Sequence, residues 1–314
     1  MAKEISFVIP VFNEERILAK QLDCIQEFKP AGMTTEIIVV DNCSTDNSAE
    51  VARSKGVDAV IQCSGTVSAV RNLGVEHSSG SILVFLDADV FLTDEWKRNI
   101  GQTLSRLAED PLIVTGSWVC IPSPGSWIER TWFARLEETP HSHINSGHLI
   151  ISRQAFEMLG GFDENLVSGE DYDLSVRAET AGCRLNDNKA LKVVHHGYPK
   201  TVGAFFKREL WHGEGDYLSV KTFLASPIAI AGFVSVLVLA CGIILSIGTG
   251  ELSWLGYGMI PLAVATGSAA WRWRPSRPSY FPVVILLSCV YFLARGLALF
   301  KRIGTGMIPR KQQH

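Results

Sequence analysis

Cysteine is sparse and scattered: Cys24, Cys43, Cys63, Cys120, Cys183, Cys241 and Cys289 are odd in number and form no CxxC. A disulfide framework or structural zinc site is therefore not expected, and a reducing location for the polar part of the chain fits better. A basic excess is missing too, with 29 Lys and Arg against 32 Asp and Glu, which argues against nucleic acid as a partner. Met1-Ala2-Lys3-Glu4-Ile5 enters a strand-like run without a basic leader and apolar core, so a cleaved signal peptide is not expected. Acidic residues nearly vanish beyond Ile228, Glu251 being the only one. This last absence divides the chain: a globular domain is expected over 1–225 and a membrane domain over 226–314.

Hydrophobic helices are expected at about 228–247, 252–271 and 280–300, two or three of them crossing. Ile228 to Ile247 is 20 residues without a charge, long enough to span a bilayer at 1.5 Å per residue. The stretch Trp271-Arg272-Trp273-Arg274-Pro275-Ser276-Arg277 is basic and aromatic. By the positive-inside rule it lies in the cytosol with the globular domain, and the Glu251 turn lies outside. The expected location is thus the inner (plasma) membrane, multi-pass. The third segment contains Arg295 and is followed by Lys301, Arg302, Arg310 and Lys311. If it crosses as a third span, this basic tail ends outside, against the rule, so its topology stays open.

The first 225 residues read as α/β. Ile5 to Val11 is a short β-rich run, followed by a helical pattern with Ile17, Leu18, Leu22, Ile25 and Phe28 on one face. Strands are expected again at Glu36–Asp41, Asp58–Gln62 and Ser81–Asp87, with a helix over Val67–His77. The β-branched run before Asp41 suits a strand buried on both faces. Strands alternating with helices at this spacing predict a mainly parallel sheet wound right-handedly. Ligands of such sheets bind beyond the carboxyl ends of the strands. Asp41 and Asp87 both end apolar strands there. Each alone is an ordinary turn former or helix cap; two on one rim point to a site.

Asp87-Ala88-Asp89 sets two carboxylates two residues apart where the strand runs out. Hard divalent cations with phosphate ligands are commonly held by one or two carboxylates, water and phosphate oxygens. Further on, Ile144-Asn145-Ser146-Gly147 reads as a polar turn before a strand. Glu170-Asp171-Tyr172-Asp173 opens a helix running to about Ala181, where the macrodipole alone favours acids. Val193-Val194-His195-His196-Gly197 reads as a strand emerging into a turn.

Taken together, Phe7–Glu15, Ile38–Asp46, Ala69–Gly74, Asp87–Asp89 and Gly160–Glu164 through Asp171 resemble family 2 glycosyltransferases of the GT-A fold, across about residues 5–215. The resemblance implies an inverting transfer of a sugar from a nucleoside diphosphate sugar, uridine being the commonest base in the family. Pro10, Phe12, Asn13 and Glu14 are then expected to line the nucleotide pocket, with Asp41 bonded to the base and Arg71 near the base or diphosphate. Asp87 and Ala88 belong to the nucleotide-sugar side, Asp87 reaching ribose or metal. Asp89, joined by His195, would hold Mg²⁺ or Mn²⁺. Asp171 is expected to be the base that deprotonates the acceptor hydroxyl. Glu170, Arg208 and Trp211 are assigned to the acceptor side, although the QxxRW pattern of processive synthases is incomplete here, which favours single-sugar transfer.

The membrane half suits a lipid-linked or membrane-associated acceptor in glycan assembly. A polyprenyl-phosphate sugar synthase is the alternative within the class, and its phosphate acceptor needs no base. A non-catalytic nucleotide-sugar-binding subunit is the alternative outside it, at odds with four placed carboxylates. A nucleotidyltransferase would show a Gly-rich basic phosphate loop, whereas Pro10–Glu15 is acidic.

Overall fold

The computed structural model describes residues 4–116, 119–137, 143–272 and 278–304. Most of the basic stretch Trp271–Arg277, and Arg310 and Lys311, therefore lie outside the described residues. The chain divides into two compact units: Met1–Pro124 with Ala134–Tyr198, and Gly125–Phe133 with Pro199–Ile308.

In the first unit the strands are β1 (Ile5–Val11), β2 (Thr35–Asp41), β3 (Ala59–Gln62), β4 (Ile82–Leu86), β5 (Val90–Leu92), β6 (Ile113–Gly116), β7 (Val119–Cys120), β8 (His148–Ser152), β9 (Arg184–Asp187) and β10 (Val193–His195). The helices are α1 (Leu18–Phe28), α2 (Ser48–Ser54), α3 (Val67–Glu76), α4 (Asp94–Glu109), α5 (Arg153–Met158) and α6 (Glu170–Thr180). Seven strands form one sheet in the order β3-β2-β1-β4-β8-β6-β9. β1 runs parallel to β2 and β4, and β2 to β3. Only β8 reverses, lying antiparallel to both β4 and β6. All five β4 residues are buried, as a near-continuous apolar strand at the sheet centre requires. Behind it Phe85, Phe156 and Phe162 pack ring on ring, with centroids 5.1–5.5 Å apart.

A second, smaller sheet has the order β5-β10-β7; of its strands β10 follows the strand read at Val193–His195, whereas β5 and β7 were not expected. Its strands are two or three residues long, and β10 pairs antiparallel to β5, setting His195 opposite Val90. α4 opens with the Thr93 hydroxyl accepting from the Trp96 amide and with Asp94 and Glu95 in its first turn, both favourable at a helix start.

The second unit holds α7 (Val202–Asp216), α8 (Val220–Ala225), α9 (Pro227–Thr249), α10 (Met259–Arg272) and α11 (Phe281–Gly304). α9 and α11, at 23 and 24 residues, are long and apolar enough to cross a membrane. The middle hydrophobic segment differs from expectation. Residues Leu252–Gly258 form a 3₁₀ helix, and α10 has only 14 residues. At 1.5 Å per residue that is about 21 Å, short of a hydrocarbon core of about 30 Å.

Candidate functional site

The site residues of the first unit gather where β1, β2 and β4 end. Asn13 and Cys43 follow β1 and β2 with φ of 58° and 56°, a left-handed conformation that non-glycine residues adopt only when held there. The holding groups are visible. The Asn13 side-chain oxygen accepts from the Thr45 amide at 2.8 Å, and the Asn13 amide donates to the Ser44 hydroxyl at 2.9 Å. The Glu14 amide donates to the Ser48 hydroxyl, and Glu15 accepts from the Asn47 amide. Residues 13–15 are thus fastened to residues 44–48.

Asp41, the last residue of β2, is fully buried. Its Oδ2 accepts from the Ser44 amide at 3.2 Å and Gln62 Nε2 at 3.3 Å. Its Oδ1 is buried and has no partner among the described residues. Glu36, at the other end of the same strand, is different: its Oε1 accepts from Ser6 Oγ and from the Ser79 and Gly80 amides. A buried carboxylate oxygen left unsatisfied is costly, and of these two acids Asp41 has the capacity for a ligand N–H.

β4 delivers Asp87, whose amide donates to the Gly147 carbonyl at 3.1 Å while Val90 N–H closes the turn onto the Asp87 carbonyl at 3.0 Å. This turn starts β5, and β5–β10 pairing brings Asp89 Oδ2 to 3.1 Å from His195 Nε2. His196 takes another course: its amide donates to the Asp89 carbonyl and its ring packs on Phe91. Gly197 completes the wrap. A Cβ there would stand 1.7 Å from Asp89 Oδ2 and 3.2 Å from His195 Nε2, so only a glycine lets the backbone pass this close to the pair.

Arg71, on α3, is 2% exposed. It donates to Asp87 Oδ1 at 2.7 Å and to Glu170 Oε1 at 2.8 Å, and lies 5.6 Å from the Phe162 ring centre. Both terminal nitrogens are thus engaged with carboxylates, and Arg71 acts as an internal brace. Glu170 is buried and also accepts from Ser146 Oγ at 2.9 Å. Asp171, next in α6, turns the other way. Asn145 Nδ2 donates to its Oδ2 at 3.3 Å, its Oδ1 accepts from the Tyr172 amide, and His143 Nε2 stands 3.8 Å away. Burial foremost, and then the Glu170 charge, push the Asp171 carboxyl up to about 7. Burial and the charges of Asp89, Asp46 and Asp87 push Glu14 up to about 7 as well. Carboxyls shifted in this way by burial and by neighbouring charges mark the rim as a candidate site.

Asn145, Ser146 and Gly197 join this candidate site without having been expected there. The polar turn at 144–147 was visible, but not that β8 would aim it at α6. Pro10 and Phe12 are half-buried at the end of β1, and Ala88 is buried in the turn. Arg208 and Trp211 are not gathered with these residues within the first unit. They lie on α7 in the second unit, where Arg208 bonds Glu209 at 2.6 Å and covers the Phe133 ring.

Residues 6–159 match the family described as glycosyl transferase family 2. The glycosyltransferase AglE of Haloferax volcanii is 29% identical over 223 residues, covering 68% of this chain and 72% of that protein. The succinoglycan biosynthesis protein ExoA of Rhizobium meliloti is 23% identical over 329 residues, 94% of each.

The chain carries a family 2 glycosyltransferase domain.

The fold of this transferase is GT-A. The mannosyltransferase PcManGT of Pyrobaculum calidifontis, solved with GDP-Man and Mn²⁺, superposes with a TM-score of 0.60 at 16% identity, over 96% of this chain and 88% of that one. Among the described residues no three His, Cys, Asp or Glu side chains cluster as a metal cage. Asp89 and His195 nonetheless fit a divalent ion in donor chemistry, carboxylate oxygen plus imidazole nitrogen. Gly197 lets the backbone pass close against both. A two-ligand site of this kind suits an ion that shares its remaining positions with phosphate oxygens and water.

Proposed function

We propose that this glycosyltransferase moves a sugar from a nucleoside diphosphate sugar to a hydroxyl of a membrane-associated, lipid-linked acceptor, with inversion at the anomeric carbon. The observation that carries the reading is the separation of roles on one rim. Asp41 offers a buried unpaired oxygen at the nucleoside end, Asp89 and His195 stand together in the middle, and Asp171 stands at the far side, its proton affinity raised to near neutrality.

The chain's own groups divide the work. Asp41 accepts from the base, and the fastened loops at 13–15 and 44–48 shape the pocket around it. Asp89 and His195 would hold Mg²⁺ or Mn²⁺, which when bound offsets charge growing on the leaving diphosphate. Asp171 receives the acceptor hydroxyl proton as the oxygen attacks, one displacement giving inversion. Asn145, through its bond to Asp171 Oδ2, keeps the carboxyl aimed. The apolar α9 and α11 support membrane association, which suits a lipid-linked acceptor.

Thermal denaturation in detergent against a panel of UDP-, GDP- and TDP-sugars, with and without Mn²⁺, tests the donor side. One donor is expected to raise Tm in a metal-dependent way, and Asp89→Ala is expected to abolish that rise. A donor response that survives in Asp89→Ala would move the metal elsewhere. Gly197→Ala is a finer probe of the same place. Its Cβ displaces the Asp89 carboxylate, so kcat/KM is expected to fall on the order of 10²-fold, the usual consequence of misplacing a reacting group by about 1 Å. An unchanged apparent metal affinity in that variant would count against Asp89 as ligand.

A further inference from the structure

The second unit carries charges that its apolar helices would not tolerate unpaired. Arg295, inside α11, donates to Glu209 Oε2 at 3.2 Å and to Asp216 Oδ2 at 3.1 Å, and lies over the Tyr291 ring. Lys301, two turns on, pairs with Glu214. All three acids belong to α7, and Glu209 is 2% exposed. The charges of the third hydrophobic segment are thus gathered on one side and one end of α11, answered by an acidic face of α7.

The direction of packing follows from the close contacts. Ala229 clusters with Ala298 and Tyr217, and the Tyr217 hydroxyl donates to the Ala229 carbonyl. A Cβ on Gly232 would meet the Gly296 amide and the Phe292 carbonyl at 2.8 Å. As α9 advances from 229 to 232, its partner position on α11 retreats from 298 toward 292. The two helices therefore run antiparallel, and small residues let their backbones approach, as in membrane helix pairs. The start of α9, the end of α11 and the charged half of α7 share one end of the bundle. Thr249 and Phe281 share the other.

Resting on the membrane reading above, we infer that α9 and α11 form a two-span hairpin in a lipid bilayer, with α7 closing its polar end at the headgroup layer. α10, at 14 residues, does not cross; it enters and returns or lies along the far face. Exposed Ile243, Ile244 and Ile247 on α9 and Leu286 on α11 face the acyl chains. This topology also settles the positive-inside conflict. With two spans, Lys207, Arg208, Lys221, Lys301 and Arg302 share the α7 side, against Arg272 opposite, among the described residues. Five basic residues against one place the α7 side in the cytosol. Trp271 and Arg272, at the end of α10, then lie on the outer face, the reverse of the placement expected from the basic stretch they begin.

Three full-length tagged versions test this in a bacterial host: a tag before Met1, one after His314, and one between Pro275 and Ser276. Protease digestion of intact and permeabilised spheroplasts reads the side of each tag. The two terminal tags are expected to share protection, and the internal tag is expected to be cut in intact spheroplasts. Terminal tags on opposite faces would overturn the hairpin by showing an odd number of crossings. An internal tag protected like the terminal ones would overturn it by showing no span. An alkaline carbonate wash of the membranes separates the two ideas: release of the protein would sink the membrane reading itself, whereas retention with either wrong tag pattern sinks only the hairpin.

Discussion

Asp171→Asn is expected to lower kcat by about 10²- to 10⁴-fold, the usual weight of a positioned base, with donor-induced stabilisation kept. Asparagine preserves the shape and the bond to the Tyr172 amide but accepts no proton. Steady-state kinetics with the donor found by thermal shift measures it. The pH profile carries the same information. The carboxyl is held up to about 7, so kcat/KM is expected to climb as pH rises through about 7 and level off above it. Stability moves the opposite way. The folded state keeps this proton to about pH 7 while an unfolded aspartate releases it near 4, so stability falls between those values and is flat above. Asp171→Asn is expected to flatten that descent. Full activity in the variant would favour a phosphate acceptor, which needs no base.

Arg71→Met is expected to cost about 3–5 kcal/mol, because it leaves Glu170 buried without its counter-charge. For a domain of this size that is on the order of 10 °C in Tm, readable by differential scanning. Adding Glu170→Gln is expected to restore much of the loss, since the stranded charge disappears with it; Asp87, about a third exposed on its side chain, finds water instead. Failure of the double variant to recover would mean that Arg71 stabilises through its packing on Phe162 rather than through its charge. Activity would remain low in the rescued protein, as Asp87 and α6 lose their common tie.

Much of this was legible because the chemistry is local. β1 begins and ends where the apolar run Ile5–Val11 does, and β2, α3 and β4 follow their sequence patterns within a residue or two. Strand ends decide where carboxylates emerge, so Asp41, Asp87 and the first turn of α6 could be read from the chain. What could not be read depends on pairing between distant segments. β8 runs antiparallel within the sheet and carries Asn145 and Ser146 to Asp171 and Glu170, some 25 residues away in sequence. β5 and β10, three residues each and a hundred apart, bring Asp89 to His195. Arg71 gave no sign of facing inward, because a guanidinium between two carboxylates looks in sequence like any charged helix residue. The apolar stretch at 252–271 had the composition of a span but breaks into a 3₁₀ turn and a short helix, a distinction that hydropathy does not make.

The fastening of residues 13–15 to 44–48 bears on how the protein spends its conformational freedom. Ordering a loop residue costs roughly 1–2 kcal/mol of entropy, and here that ordering belongs to folding, not to ligand capture. On the proposed reading, a nucleoside arriving at Asp41 would meet a mould already set, so its contacts would not need to offset the immobilisation of two loops. Such a mould would also be conservative: on that reading a change of base preference would come through single side chains, while the backbone of the rim stays as it is.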